Sequence, residues 1–236
     1  MNSPSTNAPF TCALALITRN EFAGSRVMVD RIARDRFEQL YVVDGHSSDG
    51  TREFYEECGI PVHLQQRPGL GAAMIEARDH CRCDALIFFH PDGNEDPADL
   101  PVIRSLLEAG RDFVVASRML HGAVNEEDSR LVRPRKWANR GLAMLANLLW
   151  GSARNRTTDV TNGLRGIRCA AWDALEPDSE DLTMDFQMVI RALKRGVTIT
   201  EFPTREGERI AGATNFASLD TGIAELRLVL RELLRR

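Results

Sequence analysis

Leu86-Ile87-Phe88-Phe89-His90-Pro91-Asp92-Gly93-Asn94 decides how this chain is read. Four large apolar residues run into a Pro-Asp-Gly turn, so a buried strand should end near His90, with two oxygen-bearing side chains just beyond it. In an α/β sheet, ligands bind at the carboxyl ends of strands. There, Asp92 and Asn94 could hold a divalent cation that carries a diphosphate. The same layout of strand, acidic turn and helix start occurs upstream, in Val42-Val43-Asp44-Gly45-His46-Ser47-Ser48-Asp49-Gly50-Thr51. Two such turns in one chain carry more weight than either alone.

Working outward, strands and helices alternate. Strands are expected from about Thr11, Leu40, Val62, Ala85 and Phe113, and helices from about Glu21, Gly50, Leu70 and Pro97. Asp96 followed by Pro97 reads as an N-cap and first-turn pair, so a helix should start straight after the Asp92 turn, its positive end near a bound anion. The alternation predicts a mostly parallel sheet flanked by helices. With 236 residues, the chain suits one α/β domain. We divide it into a loose tail at residues 1–9, a domain at 10–216 and an amphipathic C-terminal helix at 217–236.

Composition narrows the function. Apolar content of 43%, charged content of 27% and a net charge of -4 describe a soluble globular chain without the basic character of a nucleic-acid binder. Five cysteines and no secretory signal fit a reducing cytoplasm. His80, Cys81 and Cys83 do not make a zinc site, because no second ligand cluster follows. No apolar run approaches the roughly 20 residues needed to span a bilayer, so any membrane contact would be peripheral.

Between Arg118 and Arg168 ten Arg and Lys face four acidic residues, a net of +6, which points to an anion at this segment. Inside it, Trp137 to Trp150 is an apolar helical stretch with a Trp at each end and cations on both flanks, a layout suited to a bilayer interface. The last helix, about Leu219 to Leu234, places Leu219, Ile223, Leu226, Val229, Leu230 and Leu233 on one face, beside Arg227, Arg231 and Arg235. That face suits a membrane, its own domain or the partner of a homodimer.

These motifs, taken in order, resemble a family 2 glycosyltransferase of the GT-A (Rossmann-like) fold. The chain is most similar to the branch that contains dolichyl-phosphate mannose synthase and bacterial polyprenyl-phosphate glycosyltransferases. The likeness runs from about Phe10 to Phe216. It includes Thr18-Arg19-Asn20-Glu21, with Ile17 in place of the usual proline; Asp44, with Gly45 in place of a second Asp; and the Gly69-Leu70-Gly71 turn. The family's Asp-x-Asp motif falls on His90-Pro91-Asp92, and its next oxygen ligand on Asn94. Further matches are Ser117-Arg118, then Arg135, Lys136 and Asn139, then Thr158-Asp159 with Gly163-Leu164-Arg165. The last are Glu201-Phe202-Pro203 and Arg209, Gly212, Thr214 and Asn215, the final residue replacing a lysine.

The resemblance implies that Asn20, Glu21, Asp44, Gly71, Asp92 and Arg209 bind a nucleotide sugar, UDP- or GDP-linked. It also implies that Ser117, Arg118, Arg135, Lys136 and Asn139 bind a polyprenyl phosphate or another acceptor, and that transfer inverts the anomeric centre. Mg²⁺ or Mn²⁺ would be held by Asp92 and Asn94. His90 is either a third ligand, favouring Mn²⁺, or a hydrogen-bonded wall residue. Asp92, Arg209 and Asp159 are the catalytic candidates. Asp159 would serve as general base for a hydroxyl acceptor, but would orient cations for a phosphate already ionised at neutral pH. A soluble small-molecule acceptor and a noncatalytic nucleotide-binding module are the alternatives.

Overall fold

The computed structural model describes residues 9–128, 133–210 and 218–235. Most of the expected tail, Arg130, and Gly212, Thr214 and Asn215 lie outside the described residues. The elements run β1 (Cys12–Thr18), α1 (Phe22–Met28), β2 (Gln39–Asp44), α2 (Thr51–Glu57), β3 (Val62–Leu64), α3 (Leu70–His80) and β4 (Ala85–Phe89). They continue with α4 (Leu100–Glu108), β5 (Phe113–Ser117), α5 (Pro134–Trp150), β6 (Arg165–Arg168), α6 (Cys169–Leu175), α7 (Met184–Arg195), β7 (Ile199–Pro203) and α8 (Ser218–Leu234).

The strands form one sheet of order β3-β2-β1-β4-β6-β5-β7. All pairings are parallel except those of β6, which runs antiparallel to both β4 and β5. The expected mostly parallel sheet is therefore present. Period-two alternation divides its core. Ala13, Ala15 and Ile17 of β1 with Leu86 and Phe88 of β4 face one apolar cluster. Cys12, Leu14, Leu16, Ala85, Ile87 and Phe89 face the other. Helices α3 and α7 close the first face, and Leu100, Ile103 and Leu107 of α4 close the second. Two-sided cover is why β1 and β4 are buried along their whole length.

The Asp96-Pro97 start is also present. Asp96 accepts a hydrogen bond from the Ala98 amide at 3.1 Å, and Pro97 opens a 3-10 turn that leads into α4. Strand β6 was not expected. Its Arg-Gly-Ile-Arg sequence has neither the apolar content nor the length of a buried strand. The reason for Gly166 is steric, since a Cβ there would lie 2.4 Å from Ile103 Cγ2.

Helix α8 is present as expected, but of the described residues on its expected apolar face only Val229 is turned to the domain. Leu228 and Val229 are buried, with Glu225 and Glu232, while Ile223, Leu226, Leu230 and Leu233 face outward. Two arginines of the stripe, though still exposed, reach the domain. Arg231 donates to Ser179 Oγ at 2.7 Å, and Arg235 pairs with Asp178 at 2.5 Å. Ion pairs and two apolar residues thus dock this helix. No helix among the described residues is long and apolar enough to cross a membrane.

Candidate active site

Because β6 alone is reversed, the carboxyl ends of the other six strands and the start of β6 share one edge of the sheet. The segments after Thr18, Asp44, Phe89, Ser117 and Pro203, and those leading into Arg165, gather there. This is the placement expected for a ligand site.

The β1 and β2 ends are tied together. Asp44 is fully buried and accepts from Thr18 Oγ1 at 2.9 Å and from the Ser47 amide and hydroxyl at 2.8 and 2.6 Å. Asn20, at positive φ, donates its amide to Ser47 Oγ at 2.8 Å and accepts at Oδ1 from the Ser48 amide at 2.9 Å. Asp49 caps the start of α1 by accepting from the Phe22 amide at 3.0 Å. Asp44 and Asn20 therefore tie the turns after β1 and β2 into one surface. Gly71 works by close packing. Its amide donates to the Asp181 carbonyl at 3.1 Å, and a Cβ on it would sit 2.1 Å from the Ser179 carbonyl oxygen.

At the Asp92 turn, Oδ1 of Asp92 accepts from the Asn94 amide at 2.9 Å, and Oδ2 pairs with Arg209 at 3.0 Å. Arg209 also pairs with Glu21. Burial pushes the Glu21 carboxyl up to about 7, against the pull of Arg209 and with the help of Asp92. The segment carrying Arg209 lies over the turn: the Gly207 amide donates to the Asn94 carbonyl at 2.8 Å and the Ile210 amide to the Asp92 carbonyl at 2.9 Å. His90 Nδ1 lies 2.9 Å from Glu95 Oε1, and Glu95 Oε2 accepts from the His90 amide at 2.7 Å. Burial opposes the imidazolium, but Glu95 outweighs it and His90 is pushed up to about 9. Glu95 occupies Nδ1 and leaves Nε2 buried without a hydrogen-bond partner, an arrangement that serves a wall residue and a metal ligand alike. A Cβ on Gly163 would meet the His90 ring at 2.7 Å, which explains a glycine there.

Among the described residues no group of three His, Cys, Asp or Glu side chains is arranged to hold a metal. Mg²⁺ in phosphoryl sites needs less than that, since one or two side-chain ligands are completed by substrate phosphates and water. Asp92 fits such a role. The buried Asn94 Oδ1, which lacks a hydrogen-bond partner, is a second oxygen open to a cation.

Beyond β5, Asp159 is fully buried and held from several directions. Its Oδ2 accepts from the Arg118 amide at 3.0 Å and from Nε at 2.8 Å. Its Oδ1 accepts from Arg118 Nη2 at 2.9 Å and Asn139 Nδ2 at 2.8 Å. Burial alone would raise this carboxyl, but Arg118 holds it below the ordinary range. Arg118 also reaches Glu206 at 3.1 Å and Thr161 Oγ1 at 3.1 Å. Ser117 Oγ is 2.8 Å from Thr158 Oγ1. Arg135 pairs with Glu126 at 2.8 Å and Lys136 with Asp128, so the acidic residues of this segment already engage both cations. Asn139 is buried and also accepts from the Val160 amide at 3.0 Å, bracing the Asp159 loop.

Three carboxylates were given no site role from sequence. Glu201 anchors the Asp159 loop, accepting from the Thr158 amide at 2.8 Å, the Asp159 amide at 3.1 Å and Thr157 Oγ1 at 2.8 Å. Glu206 joins Arg118 to the Arg209 segment, and Glu95 sets His90. Glu95 left a local signal, five positions from His90 within the same turn, and Glu201 stood in the Glu201-Phe202-Pro203 match, whereas Glu206 left none.

A cleft of about 660 Å³ opens beside this loop, lined by Met119, Ala143, Met144 and Leu148, with Arg140, Arg156 and Thr158 among its polar residues. The profile of glycosyl transferase family 2 matches residues 14–173. The chain belongs to this family. Glycosyltransferase AglJ of Haloferax volcanii is 27% identical over 223 residues, covering 91% of this chain and 69% of the relative. Polyprenol monophosphomannose synthase of Mycolicibacterium smegmatis is 25% identical over 233 residues, covering 91% and 84%. Among solved structures, glucosyl-3-phosphoglycerate synthase from Mycobacterium tuberculosis, in complex with Mn²⁺, UDP and glucosyl-3-phosphoglycerate, superposes with a TM-score of 0.73. It is 18% identical and covers 94% of this chain and 80% of that one. This confirms the GT-A fold for a family 2 glycosyltransferase.

Proposed function

We propose that this enzyme moves a hexose from a UDP- or GDP-sugar to a polyprenyl phosphate, with Mg²⁺ or Mn²⁺, at the cytoplasmic face of a membrane it touches peripherally. The observation that carries the acceptor reading is the cleft of about 660 Å³, whose apolar wall and two arginines adjoin the Asp159–Arg118 pair. An isoprenoid chain suits the apolar wall, and its phosphate suits the cations. The name of the Mycolicibacterium relative agrees with this choice.

Asp92 and Asn94 would hold the cation, which offsets charge building on the departing diphosphate. Arg209, which now neutralises Glu21 and Asp92, would turn its guanidinium to the diphosphate. Asp44, Asn20 and Gly71 shape the nucleotide side. Asp159 holds Arg118 toward the acceptor phosphate, while Arg135 and Lys136 form the outer part of that site. A phosphate with its second pKa near 6 needs no base at neutral pH, which agrees with a carboxylate occupied by Arg118.

The test is transfer from UDP- and GDP-hexoses to a short-chain polyprenyl phosphate, followed by mass spectrometry of the lipid. Product should form with Mg²⁺ or Mn²⁺, stop in EDTA and fall sharply for Asp92→Ala. Turnover of a water-soluble alcohol or phosphate, with the lipid unmodified, would replace this reading with a soluble acceptor. Absence of turnover with every sugar nucleotide would leave a binding module.

A further inference from the structure

At the opposite edge of the sheet, away from the candidate site, three thiols converge. Cys81 follows the last turn of α3 and is buried, Cys169 opens α6 directly after β6, and Cys83 lies in the turn between α3 and β4. The Cys81 and Cys169 sulfurs are 3.7 Å apart, although 88 positions separate them in sequence. Both face one carbonyl, that of Cys83, at 3.8 and 3.1 Å. A disulfide needs about 2.05 Å between sulfurs, so rotation about the two Cα–Cβ bonds can close most of the remaining gap.

The surroundings are electropositive. Arg82 donates to the Cys81 carbonyl at 3.1 Å, and Arg78 ties α3 to Asp173 of α6 at 3.0 Å. The hydrogen bond from Cys169, with Arg78 and Arg82 nearby, lowers the Cys81 thiol to about 7, and the Cys169 thiol is raised. The pair thus loses its first proton more easily than an isolated thiol, with a second thiol beside it. A thiol of lowered pKa beside a second thiol is the pairing of attacking and resolving cysteines, here with Cys81 buried and Cys169 partly exposed as the side open to solvent.

We propose that Cys81 and Cys169 are a reversible, peroxide-sensitive dithiol whose disulfide staples the end of α3 to the start of α6. The Cys81 thiolate attacks one peroxide oxygen, the O–O bond breaks and hydroxide leaves, giving a sulfenic acid. Cys169 sulfur then attacks Cys81 sulfur. The S–O bond breaks and the hydroxide departs with the Cys169 proton as water. Overall two thiols lose two electrons and one hydrogen peroxide becomes two waters. A dithiol reductant reverses the linkage.

The reduced full-length chain would be treated with hydrogen peroxide, alkylated and mapped by mass spectrometry. Two of the five thiols should be lost, and one cross-linked peptide pair should contain Cys81 and Cys169 at two hydrogens below the sum of its parts. Dithiothreitol should restore both thiols. In the unaltered chain the midpoint of thermal unfolding should rise on oxidation and return on reduction, a readout independent of any variant. Cys81→Ser and Cys169→Ser should each remove the cross-link, while Cys58→Ser keeps it. A cross-link through Cys83 or Cys58, sulfinate at Cys81 with no cross-link, or five thiols still open to alkylation would each overturn the proposal.

Discussion

Both carboxylate oxygens of Asp159 are engaged by Arg118, and Oδ1 also by Asn139, so taking up a proton would cost this residue a bidentate pair in a buried setting. Removing one partner of a buried pair typically costs about 3–5 kcal/mol. Asp159→Ala should therefore lower unfolding stability by that order, which denaturant titration measures. Asp159→Asn should cut turnover while leaving the shape of its pH profile between about 5.5 and 8 unchanged, since a positioning carboxylate contributes no ionisation to that limb. Loss of the acidic limb in the Asn variant would make Asp159 a general base. Gly71 is constrained differently. With a Cβ only 2.1 Å from the Ser179 carbonyl, Gly71→Ala must push α3 away from residues 179–181. Overpacking of this kind costs about 1–3 kcal/mol, and the same change at Gly141, where a Cβ would meet nothing within 4 Å, should cost far less in thermal melts.

At the level of elements, α8 shows what docking through charge entails. Glu225 is buried, and burial, then the nearby Asp185, pushes its carboxyl up to about 7. A carboxyl with a raised folded-state pKa contributes stability that is complete below the unfolded value near 4.3 and is lost as pH rises through about 7. Glu225→Gln should therefore stabilise the protein at pH 8, by on the order of 2 kcal/mol, and do little at pH 4. Equal effects at both pH values would mean the charge is not the cause. This helix also shows where sequence reading stopped. Its existence and length followed from periodicity, as did β1, β2, β4, β5 and α5, whose patterns are long or end in turn residues. Its orientation did not, because Asp178, which receives Arg235 and Arg191, lies in a distant segment that no local pattern connects to it. Strand β6 was invisible for the same reason: Arg165 is buried by Asp185 at 3.1 Å, and a lone arginine reads as a surface residue until its partner is known. In the site, Asp92, Asp44, Asp159 and Arg209 were legible because they stand at strand ends or in motifs of family order. Glu206 was not, and Glu201, though it stood in such a motif, gave no sign that it holds the Asp159 loop.

For the molecule as a whole, apolar exposure is concentrated on α5 and α8. On α5, Trp137, Met144 and Leu148 are 57%, 72% and 80% exposed, next to Arg140 and the cleft. Such a patch with a cationic rim suits an anionic bilayer. On α8 two of the three stripe arginines are committed to Asp178 or Ser179, so the membrane contact of the proposed function would fall on α5 first. Cosedimentation should occur with anionic but not neutral vesicles. Changing Met144 and Leu148 to Gln should weaken it severalfold, whereas Arg231→Glu should act mainly on stability. If the α5 changes leave vesicle binding intact while the α8 change abolishes it, the assignment reverses.

The reversed strand β6 also governs how this sheet can be assembled. Strands β4 and β5 never pair with each other, so β1–β4 and β5–β7 become one sheet only when residues 165–168 enter between them. A ribosome delivers β4 and β5 well before that linker strand, and β7 later still, leaving one edge of β4 and both edges of β5 open to pairing with other chains. Sheet closure thus waits on a contact between distant parts of the chain, a slow class of folding event. The interval between synthesis of Ser117 and of Arg168 is when this protein most needs a chaperone.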